Sequence, residues 1–212
     1  MQEFMNALRK NPTPMSIDST LKRLDILNML NTKYIIYNPK AQPIMNPHAL
    51  GNAWFVDKVK VVDNADEEIK AVQDFDPATI AIVDKRFKDC LFSFTKDVAA
   101  TIELTEYGPN RLSYRSSAKT DQLAVLSEIY YDKGWDAYVD GKPVPHFRVN
   151  YVLRAMKVPA GEHKIEFRFE PEVWRIGGIV SMISSILLIA FILFVLYTEY
   201  KESEVLKEDN EE

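Results

Sequence analysis

A single cysteine, Cys90, stands among the 212 residues, so no disulfide can form within the chain. That excludes the cystine-rich secreted scaffolds and fits a bacterial source or a reducing compartment. Glycine is scarce as well, at seven residues, and neither a Gly-rich phosphate loop nor a Ser/His/Asp motif can be read from the chain. The three histidines, His48, His146 and His163, have no ligand-like spacing to one another or to Cys90. No catalytic residue, metal or cofactor is therefore expected. The opening stretch, MQEFMNALRKNPTP, lacks an apolar core and does not read as a signal peptide. Excess charge of one sign is also missing from most of the chain. Of 31 acids and 26 bases, seven acids and two bases follow Tyr197, leaving 24 of each before it. The net charge of −5 thus belongs to the tail, and neither a polybasic membrane patch nor a nucleic-acid-binding stripe is indicated.

What the chain does have is a run without charge, Ile176 to Tyr197 (IGGIVSMISSILLIAFILFVLY). Its 22 residues, at about 1.5 Å each, reach roughly 33 Å and can cross a bilayer with modest tilt. Trp174 precedes it, and Tyr197 and Tyr200 close it, where amphipathic rings favour the interfaces. A single membrane pass over 176–197 with an acidic tail at 198–212 is expected. Lys164, Arg168 and Arg175 on one side and Lys201 and Lys207 on the other give almost no orientational bias. Either the globular part is cytoplasmic, or the chain is the end of something longer.

Ahead of the run, residues 1–17 read as a lead-in and 18–96 as a small mixed α/β region. Leu21, Leu24 and Leu27 share a helical face running to about Leu30, Tyr34–Tyr37 reads as a strand, and three X-Pro steps mark a loop. Ala53–Val62 reads as one strand, Asn64-Ala-Asp-Glu67 as a helix start, and Thr79–Val83 as a buried strand. From residue 97 to 171 short alternating segments recur between turn signals: 98–104, 112–116, 123–131, 135–139, 144–149, 151–158 and 165–169. Asp140-Gly141 marks a tight turn. The expected fold class is α+β: a mixed region, an antiparallel β-sandwich, and one C-terminal transmembrane helix.

Three constellations stand out. Tyr130, Tyr131, Trp135 and Tyr138 lie beside Asp132 and Asp136. Such rings can stack on a sugar, with Tyr131, Trp135 and Asp136 as the glycan contacts, or alternate rings can fill the sandwich core. On the first reading Trp135→Ala abolishes sugar binding without unfolding the domain. Arg148 and Arg154 flank a strand-to-strand turn, where two guanidinium groups can grip a phosphate or serve as ordinary outward charges. Within the apolar run, Gly177, Ser181 and Ser185 recur every four residues, a stripe that admits close approach by another helix. The carboxylates Asp136 and Asp140 are near in sequence, but an Asp-Gly turn needs no catalytic explanation.

The segments Ser127–Lys142 (SEIYYDKGWDAYVDGK) and Arg148–Lys164 (RVNYVLRAMKVPAGEHK), followed by a Phe-rich strand, a proline and a membrane helix, resemble the C-terminal part of YfhO-type bacterial membrane proteins. Leu27–Ile36 and the Asn-Pro-His-Ala-Leu50 stretch are similar too. The resemblance implies a polytopic glycosyltransferase of the GT-C type that uses a polyprenyl-phosphate sugar to modify a surface glycopolymer. The multi-helix part that carries catalysis in that family has no counterpart in these 212 residues. This chain is then expected to be a fragment or one half of a split gene. It would act as a non-catalytic accessory domain and last helix in the bacterial cell membrane, sandwich outside and acidic tail in the cytoplasm. The implied partners are the lipid bilayer, an upstream or separately encoded multi-helix bundle, and a surface glycopolymer or polyprenyl-phosphate sugar. The alternatives are a stand-alone membrane-anchored glycan-binding module or a ligand-free interaction scaffold.

Overall fold

Alternation of apolar and polar residues over the second half of the chain builds a two-sheet sandwich. In the computed structural model, which describes residues 14–36 and 38–208, the larger sheet comprises β6 (Thr101–Tyr107), β7 (Arg111–Ala118), β9 (Trp135–Val139), β10 (Lys142–Val144) and β13 (Gly161–Phe169). Their order is β10-β9-β13-β7-β6, antiparallel throughout. The smaller sheet runs β11-β12-β8-β3. It consists of β11 (His146–Val149), β12 (Leu153–Val158), β8 (Gln122–Ile129) and β3 (Ala53–Phe55), again antiparallel. Leu112, Tyr114, Ile165 and Phe167 from the first sheet meet Ala124, Leu126, Met156 and Val158 from the second, closing the core.

The smaller sheet is covered on both faces. Leu123 and Val125 of β8 and Leu153 and Ala155 of β12 turn away from the sandwich core and pack on Met29, Val56, Ala81 and Val83. Burial on both sides explains why Leu123–Leu126 is a continuous apolar run instead of an alternating one. The covering layer is a βαβ unit: β4 (Lys58–Val62), a helix (Ala65–Ala71) and β5 (Ile80–Asp84), with β4 and β5 parallel. That helix is α3; α1 (Pro14–Lys22) and α2 (Asp25–Met29) precede it, and β1 (Tyr34–Ile35) pairs with β2 (Ile44–Met45). Asn64 caps α3, its Oδ1 accepting from Glu67 N at 2.9 Å, while Glu67 Oε2 accepts from Asp63 N at 3.1 Å. The strand β3, which lies before residue 97, is thus hydrogen-bonded into the smaller sheet, and the second core draws on both sides of that position.

Several local expectations shift. The single strand over 53–62 is two strands, because Val56 N still donates to Leu123 O whereas Asp57 N and Lys58 N both donate to Thr79 O. The chain changes partner at that point. The strand over 144–149 breaks at Pro145 into β10 and β11, one in each sheet. Proline offers no N–H to a ladder, which suits a crossing point. The helix ending near Leu30 is interrupted at Leu24, with φ −90° and ψ 58°. Asn150 and Tyr151 form a left-handed turn (φ 50° and 70°), so the next strand begins at Leu153 and not at Tyr151. Of the lead-in, residues 1–13 lie outside the described residues, as does Tyr37.

The described chain divides into two units, one ending at Phe169 and one beginning at Glu170. The second is α4 (Glu172–Glu208), whose stretch Glu172–Lys201 is long and apolar enough to cross a membrane. The tail expected from residue 198 continues this helix to Glu208, and residues 209–212 are outside the described residues. The fold is α+β: an antiparallel sandwich, a mixed layer packed on one sheet, and a long apolar C-terminal helix.

Candidate functional site

Crossing between sheets at Pro145 leaves an opening at the edge of the sandwich. A pocket of about 400 Å³ lies there, lined chiefly by Tyr130, Asp132, Trp135, Asp136, Tyr138 and His146, within the usual range of small-molecule sites. The period of β9 sorts its members. Trp135 and Ala137 pack toward the core, while Asp136 is exposed and Tyr138 half-buried on the other face. Trp135 pairs across the ladder with Phe169, their rings 5.4 Å apart, and the Arg154 guanidinium lies 4.5 Å over the indole. The indole is therefore held on two sides. Tyr138 lies beneath the Arg168 guanidinium at 4.5 Å.

His146 opens β11, with its ring edge-on to Phe167 at 5.6 Å and tilted against Tyr130 at 5.4 Å. Its Nε2 is buried and has no hydrogen-bond partner among the described residues. Burial, helped by the nearby Arg154 charge, pushes its pKa down to about 4, so the ring is neutral at physiological pH. The pocket therefore presents two exposed carboxylates, a neutral imidazole and aromatic and proline walls, with no lysine or arginine in its lining.

Of the three glycan candidates, Trp135 and Asp136 come together here, whereas Tyr131 is half exposed and outside the lining. Tyr130, Asp132 and His146 are additional members. Strand β8 ends at Ile129, so alternation no longer tells which of Tyr130 and Tyr131 faces the opening. The proline pair Pro143 and Pro145 was the available sign that His146 sits at a crossing.

Arg148 and Arg154 are cross-strand partners in the β11–β12 ladder, yet their side chains have different neighbours. Arg148 Nη2 donates to Glu68 Oε2 at 2.7 Å, and its guanidinium lies over the rings of Phe87 and Tyr151. Glu68, fully buried on α3, also accepts from Tyr151 N at 2.9 Å. Asp84, 1% exposed, is bound by Arg86 through Nε and Nη2, and these contacts hold its carboxyl below the usual carboxylate range. Arg154 is 3% exposed, donates from Nε to Ile129 O at 2.9 Å, and has no carboxylate partner among the described residues. The same turn docks on β5: Asn150 N donates to Ile82 O and Asn150 Oδ1 accepts from Ile82 N, both at 2.8 Å.

Two other carboxylates of the large sheet, Glu166 and Asp140, serve structure. Glu166, 4% exposed, is surrounded by Lys164, Arg168 and Arg111, which hold its pKa down to about 2. Asp140 and Gly141 form the tight turn between β9 and β10, both with positive φ (50° and 79°). Asp140 Oδ2 lies 2.6 Å from His163 Nδ1, and His163 Nε2 lies 3.1 Å from Ala160 O. Two acceptors flank the ring, so the imidazolium satisfies both and the neutral ring satisfies one. His163 is accordingly raised above the ordinary histidine value by Asp140, and Asp140 is lowered by His163. The His163 contribution is complete below the ordinary histidine pKa and fades as pH rises through the raised one. The Asp140 contribution fades as pH falls through its lowered one. The melting difference between wild type and His163→Gln is expected to be largest near pH ~5.5 and smaller at pH ~8.5, and under about 1 kcal/mol because Asp140 is half exposed. Equal differences at the two pH values would remove the pair from the stability of this hairpin.

In α4, Ser185 Oγ donates to Ser181 O at 2.9 Å, and a side chain added at Gly177 would meet no atom within 4 Å. Among the described residues, no group of three His, Cys, Asp or Glu side chains is arranged to hold a metal ion.

Comparison with known proteins bears directly on this arrangement. Residues 85–181 match the family described as "Bacterial membrane protein YfhO". The chain carries a YfhO-type segment. It spans β6 to β13 and the first turns of α4, and so bears out the resemblance carried by residues 127–164. A stretch of 105 residues is 24% identical to the "Uncharacterized protein YfhO" of Bacillus subtilis (strain 168), covering 50% of this chain and 12% of that protein. The chain thus matches about an eighth of the length of that curated relative. No solved structure matches. The YfhO-type segment and the apolar helix together make this a membrane-associated protein.

Proposed function

We propose that this chain is the non-catalytic accessory region and membrane anchor of a YfhO-like glycosyltransferase that modifies a cell-surface glycopolymer, with the sandwich outside the cytoplasm. The observation that carries this reading is the position of the pocket: it lies wholly within the YfhO-type segment that leads into the apolar helix. The fate of the other acidic groups supports a binding role over catalysis. Glu68, Asp84, Asp140 and Glu166 are engaged by arginines, lysine or His163, whereas Asp132 and Asp136 are exposed at the pocket. The sugar donor chemistry then belongs to a multi-helix bundle, in the same polypeptide or encoded separately, which the Gly177, Ser181 and Ser185 stripe would dock against.

Protease treatment of intact and lysed spheroplasts tests the orientation. Cleavage of the sandwich in intact spheroplasts is expected; protection until lysis would defeat the extracytoplasmic reading. In the same membranes Ser181→Leu is expected to reduce recovery of a co-purifying membrane bundle by about tenfold, through loss of on the order of 1–2 kcal/mol of helix packing. Unchanged recovery would take the stripe out of the interface. Sugar binding without any bundle partner would favour the stand-alone glycan-binding module.

A further inference from the structure

We infer that the pocket at the β10–β11 crossing is a subsite for an uncharged pyranose ring of a glycan chain, and that it selects against phosphate-bearing ligands. The accessory reading supplies the setting for this subsite, but the contact is argued from the pocket alone. Asp132 and Asp136 are exposed carboxylates that can accept hydrogen bonds but not donate them. Neighbouring hydroxyl groups of a sugar supply the matching donors, whereas a phosphate or carboxylate brings like charge to both.

His146 points the same way. Its ring is neutral at physiological pH, so this wall of the opening offers no positive charge to an anion. An anion gains no cation from the lining either, because no lysine or arginine lines the opening. Of the nearby guanidinium groups, Arg148 is directed to Glu68, Arg154 lies against the Trp135 ring, and Arg168, over the Tyr138 ring, donates to Glu166.

The walls complete the match. A pyranose has apolar C–H faces, which suit the rings of Trp135 and Tyr130 and the proline edge at Pro143 and Pro145. Phe169 and Arg154 already hold the indole in place, so little side-chain freedom is lost on binding. Tyr131, outside the lining, is not part of this subsite.

The test uses the full chain in nanodiscs of uncharged lipid, titrated by saturation-transfer NMR. The probes are methyl β-glucoside, methyl β-galactoside and methyl N-acetyl-β-glucosaminide, with glucose 6-phosphate and glycerol phosphate as the anionic set. At least one neutral glycoside is expected to bind with a Kd on the order of 1 mM, and both phosphates about tenfold more weakly. Asp136→Asn and Asp132→Asn, both at exposed positions, are expected to weaken the neutral glycoside by about fivefold or more while the melting temperature stays that of wild type. The inference fails if no neutral glycoside binds below a Kd of about 50 mM, if either phosphate binds at least as tightly, or if both variants bind like wild type. Loss of sugar binding with the bundle still co-purifying would sink the subsite and leave the accessory reading standing. The reverse result would leave the subsite and remove the transferase setting.

Discussion

Glu68→Ala should destabilise the globular unit by about 3 kcal/mol, the cost of taking the nearer carboxylate from a mostly buried guanidinium. Glu68 is fully buried, its partner Arg148 is 21% exposed, and the same carboxylate accepts from Tyr151 N. One substitution therefore leaves the cation only Asp84, 3.9 Å away, and takes the acceptor from a backbone N–H in the turn that joins the sandwich to the βαβ layer. For a unit of this size that is a fall of roughly 10 °C in melting temperature, readable by tryptophan fluorescence on the full chain in nanodiscs. The double variant Glu68→Ala/Arg148→Met is expected to recover at least half of the loss, because the poorly paired charge goes with it. A single variant within about 0.5 kcal/mol of wild type would show that the ion pair contributes nothing net. The adjacent Asn150 amide, which replaces a strand edge opposite Ile82, makes the same turn doubly dependent on side-chain hydrogen bonds.

Trp135→Ala is expected to lower stability by about 3 kcal/mol, at the low end for loss of a packed indole because the ring is partly exposed. The indole packs on Phe169 and the sandwich core and covers the Arg154 guanidinium. Its removal opens a space beside a buried cation that has no carboxylate partner among the described residues. On the glycan-contact reading of the sequence this variant abolishes sugar binding without unfolding the domain, whereas the core reading has it unfold. The packing leads to a different expectation: sugar binding and stability fall together, so Asp136→Asn separates function from fold where Trp135→Ala does not. A melting curve within about 1 °C of wild type would show the ring to be a surface platform instead of a core member. Arg154→Met, by contrast, is expected to leave stability unchanged or raise it, as replacement of a buried unpaired charge by an apolar chain of similar length often does.

The parts of this protein legible in the sequence are those set by near neighbours. The 22-residue uncharged run, the Asp140-Gly141 turn, the Asn64 cap and the alternation of β6, β7, β9 and β13 each need residues a few positions apart, and each is present. Partner changes were less legible. Nothing local in 53–62 reveals that Phe55 pairs with Ala124 and Lys58 with Ile80. The continuous apolar character of β8 hinted at burial on two faces without naming what covers the second.

The candidate site divides along the same line. Composition and spacing by themselves determined an α+β chain with an antiparallel sandwich and an apolar C-terminal helix, and singled out an aromatic and acidic segment near Trp135. Tertiary structure decided that Trp135 and Asp136 share an opening with Tyr130, Asp132 and His146, and that Arg148 faces Glu68, 80 residues away. Periodicity reports which face of an element is buried, because burial acts on each residue through its own strand or helix. Which distant side chain completes a pocket or an ion pair depends on sheet order and on where the chain crosses between layers, and that is a property of the whole fold.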